Sequence, residues 1–481
     1  MRRITTIAFF IVFMSSIAAY ANPGDIIWSH TYGGCSSDHG ECVQRTNDGG
    51  YIVVGYTYSF GSGGSDIYLI KTDAEGDTMW SKTYGGSDYD EAFYVQQTND
   101  SGFIVAGYYG YNGVPGSHDG YLIKTDANGD TLWSHMYGDS TGGDWLSSVQ
   151  QTDDGGYIAL GSTQSFGAGD WDVYLIKTDA NGDTIWTKTY GGVNLDQGYF
   201  LQQTDDGGYI IVGFTDPGAG KYDVYLIKTD NNGDTLWTKT YGGSEVDEGS
   251  WVERTYDGGY IIAASTNSFG EGGFDFYLIK TDADGDTVWT REYGGSGDDM
   301  ALSVKQTNDG GYALIGGTAS FGGGNDVYLV KTDADGDTVW TQNYGGDNGA
   351  NEYGTSVLQA ADGSLVFSGD ASLDVWLVKV ESGLDDVSDD NEIPIEYNSV
   401  NNYPNPFNSS TTIEYNLTKK QNVKLEIYNL LGQRITTLID SYQQAGRHGV
   451  IWDAKGYPGG IYFYKLTAGN TVFTKRMTLL K

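Results

Sequence analysis

The chain has 481 residues, a formal net charge of −37, 72 Gly, 38 Tyr and only 2 Cys. Gly at about 15% without a Gly-X-Y period excludes collagen, and 14% aromatic residues exclude an acidic disordered chain, which lacks the apolar surface to offset ordering entropy. The acid excess also excludes nucleic acid as a partner, because binding phosphates takes Lys and Arg that displace counterions.

The N-terminus reads as an export signal. Arg2 and Arg3 precede an apolar run over residues 7–14, and Ala19, Tyr20 and Ala21 form an A-x-A cleavage site before Asn22. The run is too short for a transmembrane span, so residues 1–21 are expected to leave a chain that starts at Asn22.

Residues 22–380 are dominated by an internal repeat. An Asp-x-x-Gly-Asp-Thr-x-Trp element recurs with Trp80, Trp133, Trp186, Trp237, Trp289 and Trp340, and Trp28 opens the series. The Trp spacings are 52, 53, 53, 51, 52 and 51 residues, close to the length of a propeller blade. Each unit divides into four alternating segments; in the third, these are residues 146–152, 157–163, 173–178 and 184–190. Asp-Gly and Asn-Gly between segments are hairpin signals, because they accept the positive φ of tight turns. The repeat begins with a fourth strand (residues 26–32) and ends with a third (375–380), so pairing these two would leave no open sheet edge. The expected fold is therefore all-β: a closed seven-bladed β-propeller of four-stranded blades, the N-terminal strand completing the last blade, followed by a small β-sandwich.

Residues 381–399 are acidic and lack hydrophobic periodicity, as expected of a solvated linker. Beyond it the charge reverses: residues 400–481 carry 10 Lys and Arg against 4 Asp and Glu. Here Tyr403, Pro404, Asn405, Pro406, Phe407 and Asn408 are followed by Ile427-Tyr-Asn-Leu-Leu-Gly-Gln433, Trp452 and Asp453, Gly460-Ile-Tyr462, and Lys475 through Lys481. This order of motifs resembles the type A sorting domain of the type IX secretion system, an immunoglobulin-type sandwich. The resemblance implies export from a Bacteroidetes-like cell, the secretion machinery as a partner, a secreted or surface location, and removal of this domain on the surface.

Several residue sets could carry chemistry. The Asp-x-[Glu/Asn/Asp]-Gly-Asp turns place oxygen ligands at positions 1, 3 and 5 as a calcium loop does, but lack its Gly at position 6 and its Glu at position 12. If any copy binds Ca2+, the all-Asp copies Asp282/Asp284/Asp286 and Asp333/Asp335/Asp337 are the candidates. Two rings of acids recur once per unit, one including Asp90 and Asp299, the other Asp66 and Asp275; sevenfold recurrence favours scaffolding over chemistry. Residues that break the repeat on the long-loop face are the better ligand candidates: Trp145, Trp171, Trp251, Tyr111, Glu91 and Glu248, with His118 and Glu271 beside them. The recurring Phe60, Phe166, Phe269 and Phe321 are expected to wedge between blades. Cys35 and Cys42 are expected to form a disulfide in an oxidising compartment. The five His are scattered and no nucleophile, zinc or phosphate-loop motif occurs. The sequence thus favours a non-catalytic binding or adhesion module for a glycan or protein, with a secreted polysaccharide-active enzyme as the alternative.

Overall fold

The computed structural model describes residues 22–110, 118–139, 142–218, 220–345, 351–383, 400–403, 407, 409–417, 420–430, 433–444, 446–468 and 471–480. The signal segment, Tyr111, most of the linker, Pro404, Asn405, Pro406, Asn408 and Lys481 lie outside the described residues. The chain divides into two compact units, residues 1–385 and 386–481. Among the described residues every regular element is a β-strand, and no helix is long and apolar enough to cross a membrane.

The first unit consists of seven four-stranded antiparallel sheets in repeating, propeller-like blades. Sheet 1 is Asp38–Arg45, Tyr51–Thr57, Asp66–Thr72 and Thr78–Tyr84, and sheets 2 to 6 repeat its order. Sheet 7 is Tyr353–Gln359, Leu365–Ala371, Asp374–Val380 and, as its fourth strand, Ile26–Tyr32 from the start of the chain. That strand runs antiparallel to Asp374–Val380 with Trp28 opposite Lys379 and Tyr32 opposite Val375. The first strands of successive sheets lie against one another, and that of sheet 7 lies against that of sheet 1. Val43, Val53 and Ile70 of sheet 1 accordingly share a core with Val366, Val375 and Leu377 of sheet 7.

The repeated glycines have separate jobs. In the Asp-Gly-Gly turns, the first Gly takes positive φ (+91° at Gly49, +84° at Gly155), which closes the hairpin. The second is required by close approach, since a Cβ on Gly50 would stand 2.1 Å from the Thr72 carbonyl oxygen. Between sheets, the Tyr ending each fourth strand donates its hydroxyl to a glycine carbonyl of the next sheet. Tyr32 bonds Gly76 at 2.5 Å and Tyr84 bonds Gly129 at 2.6 Å, and the series ends with Tyr344 bonding Gly24 at 2.9 Å.

A second repeated contact joins strands within each sheet. Lys71, Lys124, Lys177, Lys228, Lys280, Lys331 and Lys379 of the third strands pair with Asp48, Asp100, Asp154, Asp206, Asp257, Asp309 and Asp362 of the Asp-Gly turns, at 2.5–2.9 Å. Burial pushes the Asp206 carboxyl up, but hydrogen bonds from Lys228, Thr204 and Gly208 outweigh it and hold the group at about 2.

In the second unit a three-stranded sheet (Val400–Tyr403, Ser410–Leu417, Gly446–Asp453) and a four-stranded sheet (Gln421–Asn429, Arg434–Gln443, Gly460–Ala468, Thr471–Leu479) share one apolar core. Phe407 packs edge-on against Trp452, and its backbone accepts from Leu480 at 2.7 Å and donates to Thr478 at 3.0 Å. Tyr462 is buried, with its hydroxyl on the Pro458 carbonyl at 2.7 Å, while Lys475 is exposed.

The lysine–aspartate pairs make an asymmetric prediction. Asp206→Ala leaves the buried Lys228 ammonium without its carboxylate and should destabilise the protein by about 2 kcal/mol. Lys228→Met leaves a half-exposed carboxylate that water can solvate, and should cost less than half as much. Denaturant unfolding of both variants checks this; equal losses would contradict it.

Candidate functional site

The site is built by a backbone irregularity repeated seven times. In each first strand the pairing register with the second strand shifts at one residue: Glu41, Phe93, Ser147, Tyr199, Ser250, Leu302 and Thr355. A bulge of this kind re-aims the side chain it carries. All seven of these side chains line one central cavity of about 610 Å³.

The next residue of each strand sets the floor. It is small in sheets 1, 3, 6 and 7 (Cys42, Ser148, Ser303, Ser356) and aromatic in sheets 2, 4 and 5 (Tyr94, Phe200, Trp251). Phe200 and Trp251 stack with centroids 3.7 Å apart, and Tyr94 closes on them at 5.5 and 6.2 Å. Sheet 2 adjoins neither sheet 4 nor sheet 5, so these rings meet across the middle of the unit. Nearer the long loops, Trp145, Gln197, Glu248 and Met300 line the cavity from the second position of their strands, with His118 and Trp171 beside them.

The sequence candidates are thereby sorted. Trp145, Trp171, Trp251 and Glu248 come together in the cavity. Trp145 and Trp251 are strand residues, not loop residues. Trp145 packs between Phe93 and Tyr199 at 5.8 and 5.6 Å, and Trp251 is part of the floor. Glu91 stands behind the wall, accepting from the Ser65 hydroxyl at 3.1 Å. Tyr111 lies outside the described residues. Glu271 is exposed and away from the cavity lining. Phe60, Phe166, Phe269 and Phe321 do not wedge between sheets; each packs at 5.3–5.7 Å on a Tyr of its own third strand and stays exposed.

One expectation needs correction. Cys35 and Cys42 are free thiols, Cys35 exposed and Cys42 fully buried. From Asp38 to Cys42 the chain runs extended, roughly 13 Å at the usual rise, and Cys35 lies beyond Asp38 in the loop, out of reach of a bridge that needs α-carbons within about 7 Å. Cys42 instead joins the core with Ile52, Val54 and Val95, and burial pushes its thiol up to about 11. The aspartates of the Asp-x-Asp-Gly-Asp turns do not converge on a cation. Asp282 Oδ1 accepts the backbone N–H groups of Asp284 (3.0 Å) and Asp286 (2.9 Å), and Asp286 pairs with Lys239 of the neighbouring sheet at 2.7 Å. Asp333 serves Asp335 and Asp337 in the same way, and Asp337 meets Arg291. Among the described residues no group of three or more His, Cys, Asp or Glu could hold a metal ion.

The two acid rings meet in pairs between sheets, each pair closing on the first Gly of a Tyr-Gly element. A Cβ on Gly85 would stand 2.4 Å from Asp66 Oδ1 and 2.6 Å from Asp90 Oδ2, and Gly294 is held in the same way by Asp275 and Asp299. The carboxylates accept loop N–H groups, Gly86 on Asp90 at 2.6 Å and Ser62 on Asp66 at 2.7 Å, so they tie the long loops to the strands. Burial, with the neighbouring carboxylate adding to it, pushes Asp90 and Asp275 up to about 6.

Within the cavity the ionisable groups divide sharply. His39 is engaged by Asp370 at 2.7 Å and stacks on Tyr56, and the Asp370 hydrogen bond raises its pKa. Burial lowers that of His118. Burial also raises Glu248, and it carries Glu41 up to about 8, with Asp370 and Glu91 pushing the same way and His39 opposing them.

Residues 401–479 match the family described as secretion system C-terminal sorting domain. This part of the chain is a type IX secretion sorting domain, so the protein is a type IX-sorted secreted or cell-surface protein with a propeller-like fold. No curated protein matches the chain. Among solved structures it is similar to PorZ, a surface component of the type IX secretion system of Porphyromonas gingivalis, with 12% identity and a TM-score of 0.44 over 96% of this chain. The chain spans 60% of the length of PorZ. It is also similar to a puromycin hydrolase (12% identity, TM-score 0.48, 80% of this chain and 59% of that one) and to Sqt1 from Chaetomium thermophilum (12%, 0.43, 73% and 83%).

The carboxyl shifts predict an unusual pH profile. Asp90 and Asp275 are raised in the fold, so their contribution is full below the ordinary carboxylate range near 4 and is lost as pH rises through about 6. Asp206 is depressed, so its contribution is present above that range and is lost as pH falls towards about 2. Thermal melts should show greatest stability near pH 4 to 5; a Tm that climbs steadily from pH 5 to 7.5 would contradict this.

Proposed function

We propose that the protein is carried across the outer membrane by the type IX machinery and works outside the cell as a non-catalytic binding or adhesion module for a glycan or protein ligand. In this reading residues 1–21 are a signal peptide, 22–380 a closed seven-bladed β-propeller, 381–399 a linker and 400–481 the sorting domain. Closure is supported by the Ile26–Tyr32 pairing and by the tyrosine–glycine bonds, which continue across sheet 7.

The observation that carries the binding reading is the central cavity. Its floor of Tyr94, Phe200 and Trp251 makes it blind at one end, and aromatic side chains dominate its wall. A concave, mostly apolar pocket with a few convergent polar groups is the form that small-ligand and side-chain recognition takes. The opposite face is made of short, near-identical turns whose polar groups serve their own backbone, which leaves little room for specificity.

The enzymatic reading draws on Glu41. A carboxyl held protonated near neutral pH, with Glu91 electrostatically coupled to it, has the acid-and-base character that glycosidic hydrolysis uses. Incubation with polysaccharides separates the two: turnover that Glu41→Gln abolishes would favour the enzyme, whereas binding without turnover favours the module.

Ligands found by glycan- and peptide-array screening should depend on the cavity wall. Trp171→Ala and Trp145→Ala should each weaken binding about tenfold, as loss of an aromatic anchor does. Asn181→Ala, in a turn of the opposite face, should leave affinity unchanged. Binding that survives both Trp substitutions would contradict the reading.

A further inference from the structure

We propose that the central cavity recognises an organic cation, an ammonium or guanidinium group presented by a small molecule or a side chain. The inference rests on the reading of the cavity as a ligand site and adds the chemistry of the ligand.

The first observation is a pair of carboxyl groups without a hydrogen-bond or ion-pair partner. Glu41 of sheet 1 and Glu248 of sheet 5 both line the cavity, half-buried, and neither makes a hydrogen bond or ion pair with another described side chain or backbone group. Many other carboxylates of the first unit are compensated: turn aspartates meet lysines, ring aspartates such as Asp66 and Asp90 accept loop N–H groups, and Glu253 meets Lys305. Among the described residues no Lys or Arg lines the cavity. Its two imidazole neighbours do not serve instead, because His39 is engaged by Asp370 and burial disfavours a charged His118.

The second observation is what surrounds these carboxylates. Phe93, Tyr108, Tyr199 and Trp171 present ring surface to the same space. An aromatic face attracts a cation through its quadrupole, most strongly where water is scarce. A neutral sugar could hydrogen-bond these carboxyl groups and stack on the rings, but it would gain nothing from their ionisation. An anion would meet repulsion both here and in the field of a chain of net charge −37. A cation satisfies carboxylates and rings together, and the same field draws it in.

The test is isothermal titration calorimetry of the mature secreted protein with matched probes. Choline is compared with its neutral isostere 3,3-dimethylbutan-1-ol, and capped Gly-Lys-Gly with capped Gly-norleucine-Gly. Cellobiose serves as a neutral sugar. The cation of at least one pair should bind about tenfold or more tighter than its isostere, and which pair responds tells a small-molecule quaternary ammonium from a side-chain ammonium. Glu248→Gln and Glu41→Gln should each weaken cation binding about fivefold or more while leaving the melting temperature close to that of the parent.

A proton readout separates a charge role from mere shape. Glu41 faces His39 on its own strand, Asp370 from sheet 7 and Glu91 from sheet 2, and is protonated near neutral pH; Glu248 faces Tyr199. A bound cation favours the ionised carboxyl, so binding at pH 7 should release a proton. Apparent heats in phosphate and Tris should then differ, and Glu41→Gln should remove the difference. Equal binding of each cation and its isostere, wild-type cation affinity in both Gln variants, or no cation binding at millimolar concentration would each overturn the proposal. Trp171-dependent binding of cellobiose alongside any of these would leave the binding reading standing and remove only the cationic one.

Discussion

The rest of the first unit depends on one strand pairing, Ile26–Tyr32 against Asp374–Val380. Without it sheet 7 would have three strands and an exposed edge, and the beginning and end of 359 residues of repeat would be joined only through the contacts of sheet 7 with sheet 1. With it, sheet 7 is as wide as its neighbours and its packing against sheet 1 resembles the other sheet–sheet contacts. Flanking bonds reinforce the join: Gly24 donates to the Glu381 carbonyl at 2.8 Å, Glu381 to the Asp25 carbonyl at 2.9 Å, and Trp340 Nε1 to the Ser382 carbonyl at 2.9 Å. The cavity floor follows from this constraint, because rings from sheets 2, 4 and 5 touch only if all the first strands face a common centre.

Repetition and variation divide the labour between scaffold and site. Positions repeated in nearly every unit build the scaffold: the turn glycines, the strand lysine with its turn aspartate, the tyrosine that reaches the next sheet, and the paired carboxylates around the Tyr-Gly loops. Positions free to vary are those the bulge turns inward. Glu41, Phe93, Ser147, Tyr199, Ser250, Leu302 and Thr355 occupy one structural position and range from carboxyl and hydroxyl to aromatic and aliphatic. One backbone irregularity therefore supplies a fixed frame in which seven side chains can change without disturbing the strands that carry them.

Much of the strand architecture could be read from the sequence because alternation and Asp-Gly turns act within a few residues and a steady Trp spacing marks each unit. The out-of-phase ends pointed to the pairing of residues 26–32 with 375–380 for the same reason. The bulges were not legible, since neither Gly40-Glu41-Cys42 nor Leu146-Ser147-Ser148 differs in pattern from regular strand. Trp251 was misplaced on a loop because an aromatic residue that interrupts a repeat looks alike at the mouth of a cavity and on its floor. The disulfide inference relied on compartment and sequence separation, and extended strand geometry overruled both. The lysine–aspartate pairs did leave a signal, an offset of 22–24 residues between the turn Asp and the Lys of the third strand in six sheets and of 17 in the seventh. In the sorting domain the motif order was informative, and Phe407 and Trp452 prove to be contact partners in its core.

Hydrogen–deuterium exchange on the mature protein addresses the closing pairing most directly. In a closed ring, the peptides covering Ile26–Tyr32 should exchange as slowly as those covering Asp374–Val380, and both should become labile together in one unfolding step. Rapid exchange over residues 26–32 while 374–380 stays protected would mean that the N-terminal strand is not part of sheet 7, and the closed frame around the cavity would fall with it.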